Sequence, residues 1–466
     1  MPKQFISEII GIEEIEKWEN GDRILIHSQT GTGKSQWVKD ILYEYCLRNN
    51  KRILLLSNRI LLKSQNQEEL SDTKTDIISL KNYQTLENSV LWGNSIHHIF
   101  ADFDYICFDE VHYLISDSAF NNNTDILLAN VKFPIKDKIS IFITATPQAI
   151  LRYNKKFEYS YNMKSDYSFI ENLYFYDTDA MVENIISNIP QHEKILYFGT
   201  ALDSFELSMN TSDSEFICSD NNKEFKRKSS RNTMKEIVTK NEFSSRVLFS
   251  TKVLDNGVNI ISPSLKHIII DMADPIDVIQ CLGRKRIIGD EKIALYIKNQ
   301  GSRNIFPRLQ SVRNKLKIIE EFQTIGKEEF QKKYARKQID DVIMNDGEIN
   351  WAKVYHTKYL EDIFSKMMGD NGGYKKHIIN MLEIKKALLA EDYFEKKNLS
   401  DILESYSNKR LYKGEQEDFK NIFFSNVFNS NRNINVRNRG IICINSILEE
   451  DNLSFRLTSI RDRQKG

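Results

Sequence analysis

Residues 23–42 read RILIHSQTGTGKSQWVKDIL: a short apolar run, a loop holding two glycines, then a stretch with helical spacing. Gly31 and Gly33 allow the chain to turn so that successive N–H groups converge on phosphate oxygens. The positive end of the following helix points at the same place. In that setting Lys34 reaches the β- and γ-phosphates of a nucleoside triphosphate, and Ser35 puts its hydroxyl on Mg²⁺. Thr30 and Thr32 complete the loop. Ser28 stands where the full phosphate-loop pattern has glycine, and a small residue fits there. The expected ligands are ATP and Mg²⁺.

Outward from this loop the chain keeps one grammar. RILLLSN, DIISL, YICFDE and ISIFITA are short, rich in Ile, Leu and Phe, and end in polar or turn residues, as buried parallel strands do. GKSQWVKDILYEYCLRN and RILLKSQNQEEL carry helical spacing between them. Strands alternating with helices predict an α/β domain. After a looser Tyr- and Asn-rich stretch at 150–170 the grammar restarts with NLYFYDT, KILYFGT, SEFICS, RVLFST, KHIIIDM and IALYIKN. Beyond Gly301 the texture is helical, in RLQSVRNKLKIIEEFQTIG, WAKVYHTKYLEDIFSKMMG and YKKHIINMLEIKKALLAEDYFEKK. The expected division is residues 1–165, 166–300 and 301–466.

Composition bounds the rest. Over 466 residues Lys+Arg and Asp+Glu both total 65, so no global charge advertises nucleic acid and any basic surface must be local. The five cysteines are scattered without a C-x-x-C pair and read as free buried thiols. The eight histidines have no metal-ligand spacing, and His97 and His98 read as a helix end. The N-terminus carries acids among its apolar residues, unlike a signal peptide, and no run approaches a membrane span. The expectation is a cytoplasmic protein with no membrane partner.

A second element narrows the chemistry. YICFDEVHYLI is an apolar strand closing on Asp109 and Glu110, 75 residues after Lys34. Asp109 suits a second Mg²⁺ contact through water, and Glu110 suits the orienting or deprotonation of an attacking water.

At DEVH (109–112) the sequence resembles the superfamily 2 helicases of the DExD/H type, and further stretches match in order. Thr144-Ala145-Thr146 resembles motif III, which with His112 implies coupling of hydrolysis to movement. LLLSNRILLKSQ (54–65) resembles motif Ia, with Asn58 and Arg59 implied at the sugar–phosphate backbone. NYQTLE (82–87) resembles the next nucleic-acid motif, with Gln84 and Thr85 in the contacting places. ILYFGT (195–200), ending in Thr200, resembles motif IV. STKVLDNGVNI (250–260) resembles motif V, implying that Thr251 touches nucleic acid and that Asp255 to Gly257 face the nucleotide. QCLGRKRI (280–287) takes the place of motif VI, Q-x-x-G-R-x-x-R. Gln280, Gly283 and Arg284 hold the family positions; the last arginine is displaced, Ile287 standing in its place and Arg286 one position early. The resemblance covers residues 5–300 and implies an α/β fold of two tandem RecA-like parallel-sheet domains, with a mostly α-helical C-terminal region. It implies an ATPase in which Arg284, or Arg286 through a shifted backbone, meets the γ-phosphate from the second domain.

The match departs from the DEAD-box RNA helicases in one respect. GIEEIEKWENGDR offers no adenine-reading glutamine, and Trp18 or Arg23 is left to stack on the base. DNA is therefore expected ahead of RNA, with an RNA motor or an ATP-switched nucleic-acid-binding remodelling protein as alternatives. In the C-terminal third, with 30 Lys+Arg against 24 Asp+Glu, the Glu383/Lys385 pair of LEIKK reads as an exposed helix face. The phenylalanines of FKNIFFSNVFNSNRNINVRNRG (419–440) read as core before a solvated loop, with single-strand stacking as the alternative. This third is also the place for a protein partner.

Overall fold

The computed structural model describes residues 5–58, 74–131, 135–153, 156–220, 222–256, 258–334, 348–368, 373–407, 409, 411, 413–428 and 440–458. Its frame is two wholly parallel sheets. The first has six strands in the order β3-β2-β4-β5-β1-β6: β1 (Arg23–His27), β2 (Ile53–Ser57), β3 (Ile78–Asn82), β4 (Tyr105–Asp109), β5 (Ile139–Thr144) and β6 (Tyr159–Asn162). The second runs β13-β7-β12-β11-β8-β10-β9, with β7 (Ile170–Tyr176), β8 (Lys194–Phe198), β9 (Ser214–Ile217), β10 (Val247–Ser250), β11 (Leu265–Ile270), β12 (Ile293–Lys298) and β13 (Leu388–Leu389). These are tandem RecA-like sheets. β4, β5, β10 and the first four residues of β1 and β2 are buried, as strands covered by helices on both faces must be.

All eleven expected strands are present, and two more were not legible. β6 lies in the Tyr- and Asn-rich stretch and pairs with β1 from Ile24↔Tyr159 to His27↔Asn162. Its alternation of half-buried and exposed residues is that of an edge strand, which an apolar-run criterion passes over. β13 is a two-residue addition beside Tyr174 and Phe175.

In open parallel sheets of this kind the ligand crevice lies at the carboxyl ends of the strands. From β1 the chain passes into α1 (Lys34–Trp37), which continues through a π turn (Val38–Leu42) and a last segment (Tyr43–Arg48). The helix α2 (Tyr83–Leu91) follows β3, and α3 (Pro275–Leu282) follows β11. Asp274 caps α3, its Oδ1 accepting from Ile276 N at 2.9 Å, with Pro275 at the first helical position.

The C-terminal region is mostly helical: α4 (Ser302–Tyr334), α5 (Trp351–Met368), α6 (Gly373–Met381), α7 (Ala390–Ser405), α8 (Lys413–Phe428) and α9 (Ile441–Glu450). α4 breaks at Gly326, whose φ of 77° is outside the helical range. The stretch YKKHIINMLEIKKALLAEDYFEKK, with its helical periodicity, forms two helices, α6 and α7, with β13 between them. Glu383 sits in the turn after α6 at φ 53°, so LEIKK is not a helix face. Helical spacing on both sides concealed an edge strand of only two residues. Phe419, Phe423 and Phe424 are buried in a satellite core with Leu399, Leu403, Ile444 and Ile447, which supports the core reading of those phenylalanines. Residues 429–439, with their arginines, and the helical run RILLKSQNQEEL lie outside the described residues. Four cysteines are buried thiols and Cys443 is half-buried. Among the described residues no helix is long and apolar enough to cross a membrane.

α5 is not an appendage. One apolar cluster contains Leu114, Ile115 and Leu128 beneath the first sheet, Ile276 and Leu282 of the second unit, and Tyr359, Ile363 and Phe364 of α5. On α5, burial pushes the His356 imidazole down to about 4, against the pull of Asp277 and with Lys252 and Lys315 adding repulsion. A histidine depressed in the folded state binds fewer protons there than when unfolded. Its stabilising contribution is complete above pH 6.5 and lost as pH falls toward 4, on the order of 2 kcal/mol. Urea titrations at pH 7.5 and 4.5 should show a smaller acid-induced loss for His356→Asn than for the wild type; equal losses would remove His356 from the acid response.

Candidate nucleotide site between two sheets

The phosphate loop leaves β1 with both glycines in the left-handed region, Gly31 and Gly33 at φ 80°. Ser28 Oγ and Thr32 Oγ1 are bonded to each other inside the loop, and both side chains are buried, so the serine in the glycine position is accommodated. β1 is held from both sides: His27 Nδ1 contacts Asn162 Oδ1 on β6 at 2.5 Å and Nε2 contacts Ala145 O beyond β5 at 3.2 Å.

Lys34 is buried, with Nζ donating to Glu110 Oε1 at 3.1 Å and to Ser28 O at 3.3 Å. Ser35 Oγ donates to Asp109 Oδ2 at 3.2 Å. Asp109 closes β4 and Glu110 follows it, a non-glycine residue at φ 51°, a costly conformation that clusters at functional sites. Two contacts hold the turn: Tyr83 OH donates to Asp109 O at 2.9 Å, and Val111 N donates to Ile143 O at 3.0 Å.

The network continues to the second unit. His112 Nδ1 lies 3.4 Å from Glu110 Oε2 and 3.1 Å from Thr144 Oγ1, and Thr146 N donates to Thr144 Oγ1 at 3.0 Å. A carboxylate facing Nδ1 calls for the proton there, leaving Nε2 to accept. Gln280 on α3 supplies that donor, its Nε2 2.5 Å from His112 Nε2. A second contact crosses the cleft at Gly283: a Cβ built there would meet Thr30 Oγ1 at 2.5 Å and Thr30 Cγ2 at 2.8 Å. Lys34, Glu110, His112 and Gln280 thus form one polar chain from the phosphate loop to α3.

Arg284 is buried beneath this contact, with Nε donating to Gln280 O at 3.0 Å. Arg286 is half-buried, with Nε donating to Asn259 Oδ1 at 2.6 Å, and it lines a cavity of about 480 Å³ shared with Gln29, Thr30 and Gly31. The arginine displaced by one position therefore lines the same cavity as the phosphate loop.

The base-stacking expectation needs correction. Trp18 is buried against Trp37, Tyr159 and Tyr161, and its Nε1 donates to Tyr161 OH at 3.2 Å. Arg23 is buried and bound to Glu158. Neither reaches the cavity. The ring over the phosphate loop is Phe5, tied there by Ile6 N donating to Thr32 O at 3.3 Å, and it lines the cavity. Sequence reasoning also missed Gln29: its Nε2 donates to Asp166 O at 3.0 Å and its Oε1 accepts from Asp166 N at 2.7 Å, binding the loop to the segment entering the second sheet. No spacing rule singles out either residue; both are fixed by chain path.

The residues expected at nucleic acid lie at the carboxyl ends of β2, β3, β8 and β10. Gln84 Nε2 donates to Asn58 Oδ1 at 3.0 Å, joining two of them. Thr85 N donates to Asn82 Oδ1 at 2.8 Å, in the cap of α2. Thr200 caps the helix Ala201–Asn210, accepting from Asp203 N at 3.2 Å, and Thr251 Oγ1 accepts from Val253 N at 3.3 Å. Arg59 and Gly257 lie outside the described residues.

Comparison with known proteins gives no matching family model and no matching curated protein. Among solved structures the chain is similar to Mss116p bound to ssRNA and AMP-PNP (12% identity, 71% of this chain and 83% of that one, TM-score 0.46). It is also similar to S. cerevisiae Dbp5 bound to RNA and ADP BeF3 (14%, 75% and 90%, TM-score 0.43). A third is a DEAD box protein from the hyperthermophile Methanococcus jannaschii (17%, 62% and 86%, TM-score 0.34). Likeness at this level adds nothing to the functional reading, which rests on the geometry of the site.

Proposed function

We propose that the chain is an ATPase of the helicase or translocase type, hydrolysing ATP between its two RecA-like sheets and coupling that hydrolysis to movement on nucleic acid. The observation that carries this reading is the polar chain across the cleft, Lys34–Glu110–His112–Gln280, closed by the seat of Gly283 on Thr30. A phosphate-loop protein acting alone has no use for a second parallel sheet bonded to its own acidic turn.

In this reading Lys34 exchanges Glu110 for the phosphates when ATP enters. Glu110 then orients the attacking water and takes its proton. Ser35 and Asp109 offer a hydroxyl and a carboxylate oxygen 3.2 Å apart, a hard donor pair that fits Mg²⁺ when the phosphates and waters complete its shell. Mg²⁺ held by Ser35 and Asp109 would supply positive charge to offset the negative charge that develops on the phosphates. Gln280 reports through His112 and Thr144 whether the second sheet is docked. Arg284 and Arg286 are the candidates to stabilise the transferred phosphoryl group, a role worth roughly 10³ to 10⁵ in rate. Arg284→Ala is expected to lower kcat by about 10²-fold or more with nucleotide affinity nearly unchanged. Parallel loss of affinity and kcat would contradict a role in the transition state.

Asn58, Gln84, Thr85, Thr200 and Thr251 carry the amide and hydroxyl groups suited to a sugar–phosphate backbone. DNA is the partner placed first and RNA the alternative. Steady-state ATP hydrolysis alone, with single-stranded DNA, with duplex DNA and with RNA, at one low salt concentration, tests both points. Stimulation by one nucleic acid supports a motor on that partner. Hydrolysis indifferent to all of them sinks the motor reading and leaves a nucleotide switch.

A further inference from the structure

α5 is bonded to both sheets' units at once. On the first side, Asn350 at its start donates from Nδ2 to Asn122 O at 2.9 Å, and Ala352 N donates to Asp125 Oδ1 at 2.9 Å. Arg152, from the helix after β5, donates to Lys358 O at 3.2 Å and pairs with Asp362. On the second side, Tyr359 OH donates to Asp274 Oδ1 at 3.0 Å. That oxygen is the one that caps α3, and the far end of α3 carries Gln280, Gly283 and Arg284. Tyr359 is itself buried in the apolar cluster common to the first unit, the second unit and α5.

We propose that α5 is a latch that holds α3 against the phosphate loop, and that Tyr359 and Arg152 are positioning residues for the nucleotide cleft. The inference rests on the ATPase reading for its kinetic consequence, but the latch itself is a statement about geometry. Two domains joined through a small polar interface move freely relative to one another; an extended apolar one opposes that motion. The shared cluster supplies the apolar part, and the Tyr359–Asp274 bond, placed on the cap, fixes where α3 begins. A helix eight residues long moves as a rigid piece, so a displaced cap displaces Gln280 and Arg284. Closure of the cleft is thus built into the chain and does not wait for nucleic acid.

The test uses the full chain with Cys443→Ser and spin labels at Trp92→Cys and Met209→Cys, both exposed and on opposite units. Without nucleotide or nucleic acid, the latched protein is expected to give one narrow distance distribution. Tyr359→Phe, which keeps the ring and its packing, and Arg152→Ala are each expected to broaden it toward longer distances. In both variants ATP hydrolysis without nucleic acid should fall about five- to tenfold while nucleotide affinity changes less than twofold, because the phosphate loop is untouched. Asp274→Asn retains an acceptor for both Ile276 N and Tyr359 OH and should behave as wild type. Unchanged distances in Tyr359→Phe and Arg152→Ala overturn the latch, as does a uniform loss of melting temperature and nucleotide affinity. If the wild type hydrolyses no ATP, the ATPase reading fails, and the distance measurement still decides the latch.

Discussion

Glu110→Gln is expected to lower kcat for ATP hydrolysis by about 10² to 10⁴-fold, the range for removing a positioned general base. It should also tighten ATP binding several-fold. Both effects follow from where Glu110 sits. Its Oε1 holds Lys34 at 3.1 Å and its Oε2 faces His112 at 3.4 Å, so in the resting site a carboxylate occupies the lysine meant for phosphate. An incoming triphosphate must break that ion pair and accept a second negative charge beside it, in a place where little solvent screens either. Gln keeps the length and one acceptor oxygen but removes both the charge and the basicity. Equilibrium binding of a fluorescent ATP analogue, followed by single-turnover hydrolysis, separates the two effects. Tight binding with lost turnover is the expected outcome. Undiminished turnover would mean that another group takes the proton.

Gly283→Ala carries the second large effect, and its cause is steric. The added Cβ would stand 2.5 Å from Thr30 Oγ1, 2.8 Å from Cγ2 and 3.0 Å from Cβ. Turning the Thr30 side chain about χ1 moves Oγ1 and Cγ2 but leaves its Cβ at 3.0 Å, so the crowding persists. The methyl group must push the second sheet away from the first. Hydrolysis should fall by at least about 10²-fold, part of the 10³ to 10⁵ that a cross-cleft arginine supplies. Nucleotide binding to the loop should persist, since no loop residue is altered. Combination with Thr30→Ala, which removes the two nearest atoms, should restore part of the rate. A fully active Gly283→Ala single variant would show that hydrolysis does not need the contact seen here.

His356 and Tyr359 add smaller effects from the same region, where Lys252 pairs with Asp277 of α3 and both lie near His356. The groups that position α3 therefore come from three separate stretches of chain: Asp274 and Asp277, Lys252, and His356 with Tyr359. Their convergence is visible only when the helices are packed.

Much of the candidate phosphate site was legible before any packing was known, for a local reason. A phosphate loop needs glycines in left-handed conformations between an apolar strand and a helix, and that requirement is written in consecutive residues. The same holds for Asp109 and Glu110, which must close a buried strand, and for strands such as β4, β5 and β10, whose burial forces unbroken apolar runs. Elements without such a demand escaped notice. β6 is half-solvated, β13 is two residues long, and the break between α6 and α7 follows from its pairing with β7. The bond from Gln280 to His112 was likewise invisible: nothing across a sequence separation of 168 dictates that two side chains meet. Trp18 looked available for stacking because spacing does not reveal burial, while Phe5, near the start of the described chain, reaches the loop by the path of the backbone. By itself the sequence determined the two α/β units and the residues able to handle a triphosphate, since short-range backbone and burial constraints specify both. Which residues face one another across the cleft, and that α5 fastens α3 in place, was decided by tertiary packing, because contacts between distant segments depend on shape and buried area that no local pattern encodes.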